Sequence, residues 1–385
     1  MHVGIVVPND VDYGLDLANA LSEIGVNVTL YFSHARTNLY LAKASTSNVL
    51  TPEQLKQRIY ELELLPQTCR VRLFRYPRIR DPHSFSVVRR IKQIMHEDSV
   101  DLAHILMGPG DLWSAVLANL LRDMPVISTM IIPKPNVNEN LPAFVIIAIN
   151  KLLAFGSDVV IVNGASQVEL LQKLYKVPSR RIAYVPLGPR TTAVKWSARR
   201  NSEEIGTVLF FGRAHPHKGL EYLIQAQPII TSQVPYARIV IAAHGEDMKR
   251  CRQIIQDNSK FEIHEGFVSG DLLASFFAKA SLVALPYVSA STSGILMTAY
   301  AFGKPVVATR VGCLPEYVEH GVTGLLVSPS NVEQLAKAII RLLSDDALRH
   351  RMGEKAKHWV TEEQKKIAIQ SLTVYEKAIS LHKKR

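Results

Sequence analysis

The chain has 385 residues, 47% of them hydrophobic and 21% charged. That is more than one ordinary domain requires and enough to bury two cores, and it excludes a disordered chain. Lysine and arginine number 45 against 34 acids, a net charge of +11. This balance favours an anionic partner without choosing among nucleic acid, an acidic membrane face and phosphorylated substrates.

The first ten residues, MHVGIVVPND, form a short apolar run with no basic segment ahead of it. They are read as a first strand, Val3–Pro8, and not as a signal peptide. Leu17, Leu21 and Ile24 then recur at i, i+4, i+7 and predict a helix that Gly25 ends. Strands are predicted at Val26–Phe32, Leu102–Leu106, Val126–Met130 and Val159–Val162, with helix-like segments between them. Asp10-Val11-Asp12 spells a metal-binding triplet, but directly after a first strand it is read as accidental. From Arg70 to Lys92 stand eight basic residues, Arg70, Arg72, Arg75, Arg78, Arg80, Arg89, Arg90 and Lys92, against one acid, Asp81. Leu73, Phe74, Tyr76, Ile79 and Phe85 interleave. Two readings stay open here, a solvated loop with a helix face and a surface that docks on anionic lipid. Asp111, after Gly108-Pro109-Gly110, is read as a helix N-cap. The most apolar stretch, Leu141–Phe155, contains Asn150 and Lys151 and falls short of the roughly 20 residues that span a bilayer. It is read as a buried helix between domains, with assistance in docking on lipid as the lesser reading, and the protein as soluble or surface-bound.

Gly188 to Asn201 is polar, basic and aperiodic and is read as a linker. Alternation then restarts, with strands at Val208–Phe211, Ile239–Ala243, Ser281–Leu285, Val306–Thr309 and Leu325–Val327. Helices include Glu246–Asp257 and Val332–Leu343. Strand–helix alternation with apolar strands predicts an α/β chain of two Rossmann-like, doubly wound parallel-sheet domains with a cleft between them. Ligands in such sheets bind beyond the carboxyl ends of strands. The three cysteines, Cys69, Cys251 and Cys313, are far apart, with no Cys/His cluster. A structural zinc site and a disulfide framework are therefore not expected, which suits a reducing compartment.

Two segments carry candidate chemistry. In Phe210–Gly219, Arg213 and Lys218 flank a short loop after a strand, an arrangement suited to a diphosphate or, more plainly, a solvated basic loop. In Ser289–Thr298, Ser293 is placed to cap a helix and Gly294 to let an anion approach its amides. The alternative is an ordinary capped helix.

These segments, with Gly303–Glu316 (GKPVVATRVGCLPE) and Gly321–Val327 (GVTGLLV), resemble the C-terminal domain of retaining glycosyltransferases of family 4, which have the two-domain GT-B fold. Asp16–Leu21, Asp101–His104 and Ile182–Gly188 stand in the order the family's first domain shows. The resemblance implies domains at 1–188 for the acceptor and 189–360 for a nucleotide-sugar donor. A last helix over 361–385 would return to the first domain. It implies that Arg213 and Lys218 hold the donor diphosphate and stabilise the leaving group. Ser293, Gly294 and Ile295 would contact phosphate, as would Gly212 and, from the first domain, Gly14. Gly245, Phe267 and Val268 would border the base.

The chain departs from the family pattern where two glutamates are common, since Ala290 and Thr298 stand there. Thr298 would offer the ribose one hydrogen bond at most. A histidine frequent after the strand Val126–Met130 is replaced by Ile131 and Ile132, which leaves His104 as the catalytic candidate in the cleft, beside the plainer reading of a structural histidine at a strand end. The implied reaction is retaining transfer of a sugar to a hydroxyl acceptor, lipid-linked or polysaccharide, in envelope or exopolysaccharide synthesis. It would proceed front-face, without a cofactor and without a metal, on the cytoplasmic side of a membrane and peripheral to it. The alternatives are a nucleotide-sugar 2-epimerase of the same fold and a non-catalytic sensor of sugar nucleotides. Nucleic-acid binding is a third, for which no recognition signature is present.

Overall fold

The computed structural model describes residues 1–41, 49–77, 83–108, 110–131, 141–196 and 202–384. Arg78, Ile79, Arg80 and Asp81 of the basic run, Pro109, Ile132 and the last five residues of the predicted linker lie outside them. The described residues divide into two compact units. Those up to Gly188, together with those from Gln364 on, form the first, and Pro189–Glu363 form the second.

The first unit alternates β1 (His2–Val7), α1 (Val11–Glu23), β2 (Asn27–Ser33), α2 (His34–Leu41), α3 (Pro52–Glu61), β3 (Arg70–Phe74) and α4 (Ser84–Glu97). It continues with β4 (Leu102–Met107), α5 (Leu112–Leu120), β5 (Val126–Met130), α6 (Ala143–Gly156), β6 (Val159–Val162), α7 (Ser166–Tyr175) and β7 (Ile182–Tyr184). The strands make one parallel sheet in the order β3-β2-β1-β4-β5-β6-β7. Val3 pairs with Val28 on one side and with Leu102 on the other, so β1 lies inside the sheet. Such strands are covered on both faces and read as unbroken apolar runs. Local signals fix the helix ends. Thr51 and Gln54 form a reciprocal capping box at α3, and Asp111 accepts from the Ser114 amide at α5, as the sequence predicts.

The second unit holds α8 (Thr191–Lys195), β8 (Thr207–Arg213), α9 (Leu220–Gln233), β9 (Arg238–His244), α10 (Met248–Gln253), β10 (Phe261–Glu265) and α11 (Gly270–Lys279). It goes on through β11 (Leu282–Leu285), α12 (Gly294–Ala301), β12 (Val306–Thr309), α13 (Leu314–Tyr317), β13 (Gly324–Val327) and α14 (Val332–Ser344). Its sheet is again parallel, ordered β10-β9-β8-β11-β12-β13. The chain winds one way from β8 to β10 and then returns to the other side of β8, so the switch point falls between β8 and β11.

Four expectations are corrected. The predicted linker is not aperiodic at its start, because Thr191–Lys195 is helical and Trp196 packs on Gly270. The helix predicted over Glu246–Asp257 stops at Gln253, and Asn258–Lys260 form a 3-10 turn. The helix expected from residue 361 begins at Asp346 and runs to His382 as α15. Its residues from Gln364 on count with the first unit, where Tyr375 is buried in the core. Finally, α6 is not an interior helix, since one of its faces is open to solvent. Among the described residues no helix is long and apolar enough to cross a membrane.

Candidate functional site

The two segments singled out from sequence meet at the switch point of the second sheet. β8 ends in Gly212 and Arg213, and a 3-10 turn, Pro216–Lys218, follows. Gly219 closes the turn with φ +64°, and a β-carbon there would stand 2.1 Å from the Pro286 carbonyl oxygen. Only glycine permits that approach. The His217 carbonyl accepts from the amides of Val288 (2.8 Å) and Ser289 (3.3 Å) in the loop after β11. The Lys218 ammonium lies 3.8 Å from the centre of the Tyr287 ring, and the Tyr287 hydroxyl shares a 3.2 Å hydrogen bond with Ser293 Oγ. Ser293 Oγ in turn accepts from the Leu296 amide, capping α12. Ile295 stands 3.7 Å from where a β-carbon of Gly212 would be. Two cations and the open end of a helix are thus held in one framework, an arrangement able to carry a doubly charged anion.

Neighbouring strands complete the rim. Gly245 follows β9 and its β-carbon would collide with the Ala214 carbonyl, so the β8 and β9 exits are packed backbone to backbone. Beyond β10, Phe267 is 52% exposed and tilts toward the His244 ring at 6.5 Å, with Val268 half-buried beside it. An exposed ring beside an anion site can stack on a planar base.

The turn between Arg213 and Lys218 carries a chain of contacts from the exposed Glu246 through the buried His215 to the half-buried His217. Glu246 pairs with His215 Nε2 at 3.2 Å, and His215 Nδ1 meets His217 Nδ1 at 2.8 Å. With the Glu246 carboxylate accepting from His215 Nε2–H, His215 Nδ1 accepts from His217 Nδ1–H. Burial, together with the charges of Lys218, His215 and Arg213, pulls the His217 pKa down to about 4.

Sequence reasoning missed two residues here. Arg190 is 3% exposed and lays its guanidinium over Gly294, with Nη2 3.2 Å from where a β-carbon would stand. It brings a third cation to the start of α12. A lone arginine in a polar stretch carries no motif, and only the fold brings it near. Tyr287 lies two residues past β11, and nothing in its local sequence marks it as the ring under Lys218.

Three predicted site residues have other surroundings. His104 lies within β4, buried, with Nδ1 2.9 Å from the Tyr375 hydroxyl and Nε2 2.7 Å from Thr129 Oγ1. Both ring nitrogens are engaged in the core, so the catalytic place given to it is corrected to a structural one. Gly14 faces inward as well, where a β-carbon would stand 2.6 Å from Val7 Cγ2. It allows α1 to lie close on β1. Thr298 is buried, and its hydroxyl donates to the Gly294 carbonyl within α12 at 3.0 Å, which spends its one donor.

Burial pulls the His104 pKa down to about 3. The unfolded chain takes up this proton near pH 6.5 and the folded chain does not. The stability tied to His104 is therefore complete above about pH 6.5 and falls as pH drops toward 3, by roughly 1.4 kcal/mol per pH unit. Melting temperatures measured from pH 7 to pH 4 should show this slope, and His104→Gln should flatten it. An equal slope in the variant would contradict the assignment.

The first unit has its own half-open cavity of about 390 Å³ at the carboxyl ends of β2 and β3, lined by His34, Pro52, Phe74, Arg75 and Tyr76. The Tyr76 hydroxyl donates to Asp111 Oδ2 at 2.5 Å, which fixes the ring, and burial raises the Asp111 pKa against that bond. Three cations of the basic run are held in ion pairs. Arg72 pairs with Asp98, Arg90 with Glu97 and Lys92 with Asp123. Among the described residues no group of three or more His, Cys, Asp or Glu side chains is placed to hold a metal.

Comparison with known proteins follows the same division. A glycosyl transferase 4-like domain matches residues 12–188, and glycosyl transferases group 1 match residues 206–345. The chain is 35% identical over 182 residues to an uncharacterised glycosyltransferase of Methanocaldococcus jannaschii, covering 45% of each. It thus spans about half the length of that relative. It is 26% identical over 368 residues to a D-inositol 3-phosphate glycosyltransferase of Pseudarthrobacter chlorophenolicus, covering 89% of this chain and 84% of that one. The solved structure of HepE from Anabaena, in complex with UDP and glucose, matches with a TM-score of 0.68 at 15% identity, over 99% of this chain and 100% of that one. That likeness carries the GT-B fold. With two parallel-sheet units and the two domain matches in family order, the chain belongs to the family 4 glycosyltransferases.

Proposed function

We propose that this protein transfers a sugar from a nucleoside diphosphate sugar to a hydroxyl acceptor with retained anomeric configuration. The observation that carries this reading is the convergence of Arg213, Lys218 and the start of α12 at the β8/β11 switch point. In this reading Arg213, Lys218 and the Gly294 and Ile295 amides hold the diphosphate, and Phe267, Val268 and Gly245 border the base. HepE, whose fold this chain shares, holds UDP and glucose.

Breaking the bond between the anomeric carbon and the diphosphate oxygen leaves charge on the leaving group. Fixed cations and amides stabilise it as it develops, without having to reorganise. An oxygen of the departing diphosphate takes the acceptor's hydroxyl proton on the same face of the sugar, so configuration is retained without a protein nucleophile. Charge neutralisation by side chains is why the reading calls for no resident metal. The acceptor belongs to the first unit, where the cavity beside Arg75 and Tyr76 has room for a sugar or polyol head. A lipid-linked or polysaccharide acceptor in envelope or exopolysaccharide assembly, met at the cytoplasmic face of a membrane, completes the proposal. The Pseudarthrobacter chlorophenolicus relative is named for D-inositol 3-phosphate, a phosphorylated polyol.

Thermal stabilisation by UDP-, GDP- and ADP-sugars tests it. A ligand that binds only the folded state at 100 times its Kd adds about 2.7 kcal/mol of stability. One nucleotide series should raise the melting temperature by several degrees and the others should not. No shift with any of them would refute the reading.

A further inference from the structure

The helix α6 is apolar on nearly every side, with the sequence AFVIIAINKLLAFG. Ile149, Leu153 and Ala154 join the core formed with α4, α5, α7 and the sheet. Helices apolar all round belong in a protein interior or in lipid. Yet the outer face of α6 is bare, with Phe144 73% exposed, Phe155 58% and Leu152 37%. At 100° per residue, Phe144, Ala148, Lys151, Leu152 and Phe155 fall within one stripe about a quarter-turn wide.

Its charge is of one sign. Neither α5 nor α6 contains an acid. Lys151 stands in the stripe, and the Arg122 guanidinium lies 4.2 Å from the centre of the Phe155 ring. In the same helical layer, Arg89 lies over Phe85, itself 44% exposed, at 5.0 Å. Asp123, which follows α5, is held by Lys92 and His96. Two copies of such a face would set like charges against each other. Aromatic rings flanked by arginine and lysine, with no acid among them, instead match the headgroup boundary of an anionic membrane.

We infer that the outer face of α6, with Phe144, Lys151, Leu152, Phe155 and Arg122, docks the protein on an anionic lipid surface. This gives the membrane partner a different seat from the basic run Arg70–Lys92, three of whose cations are spent on intramolecular ion pairs. It names the surface at which the proposed lipid-linked acceptor would be met, but it does not depend on catalysis.

Co-sedimentation of the full chain with vesicles tests it. The protein should bind vesicles of phosphatidylcholine mixed with phosphatidylglycerol and leave pure phosphatidylcholine vesicles in solution. Phe144→Ser combined with Phe155→Ser, and separately Lys151→Glu, should each lower the partition about tenfold or more. All three positions are solvent-facing, so melting temperatures and nucleotide-sugar stabilisation should stay as in the parent, which separates this inference from the donor reading. It is overturned if the parent ignores anionic vesicles or if the variants bind as well as the parent. A parent that is a dimer without lipid, with variants that are monomers, would overturn it too and would assign the face to a second copy.

Discussion

Arg213→Ala should keep the parent's fold and lose all stabilisation by nucleotide sugar. Its side chain is exposed at the end of β8, so its removal opens no cavity. What goes, in the proposed reading, is a charge-assisted, forked contact to the diphosphate. Removing one preorganised donor to a developing negative charge costs about 3–4 kcal/mol, or a 10²- to 10³-fold loss in kcat. Lys218→Ala should act alike in turnover but with a structural side effect, because the ammonium also caps the Tyr287 ring that positions Ser293. Pairing the two variants separates contact from framework. Melting temperature with and without the stabilising nucleotide sugar, and turnover of the same donor, are the measurements. A full thermal shift in Arg213→Ala would put the diphosphate elsewhere.

Gly312→Ala should be among the most damaging single changes to the second unit. At φ +54° the backbone is left-handed, and a β-carbon would stand 1.9 Å from the Ala290 carbonyl oxygen. That carbonyl is backbone and cannot swing aside. The adjoining Cys313 amide donates to the Ser291 carbonyl at 2.9 Å, so moving one strand of the contact breaks the other. The displaced loop is the one that leads into Ser293 and α12. Strain and a lost buried bond together should cost about 3–5 kcal/mol, and nucleotide-sugar stabilisation should fall with it. Gly321→Ala is the control. Its φ is +85°, but nothing stands within 4 Å of the added carbon, so only the backbone cost of about 1–2 kcal/mol applies. Chemical denaturation of both variants decides the matter, and Gly312→Ala unfolding no earlier than Gly321→Ala would rule out the collision.

The central strands could be read because they are buried on both faces and therefore spelled as continuous apolar runs. The three strands passed over, β3, β7 and β10, all lie at sheet edges. Arg70 and Arg72 of β3 face solvent, β10 reads FEIHE, and β7 has three residues. An edge strand is defined by its neighbour's hydrogen bonds more than by its own apolarity, and a single sequence does not display those. The loop after β8 was legible for a different reason. Arg213 and Lys218 lie within one turn of the chain, as do Ser293 to Ile295, so their spacing survives in the sequence. Arg190 and Tyr287 reach the same place from distant segments. His104, Gly14 and Thr298 were over-read, since a polar or small residue near a strand end can as well face the core, and only burial tells which.

The continuous helix α15 has a consequence for how the chain is made. Among the described residues, the first unit is built from those up to Gly188 and again from Gln364, while those of the second fall between Pro189 and Glu363. On the ribosome the second can close as soon as it emerges, whereas the first must wait for its final piece. Until then the Nδ1 of His104 lacks the Tyr375 hydroxyl and the Ile182 carbonyl lacks the Lys377 ammonium. The unit whose first segment emerges earlier is thus the one completed later, once the α15 residues that pack on it have followed.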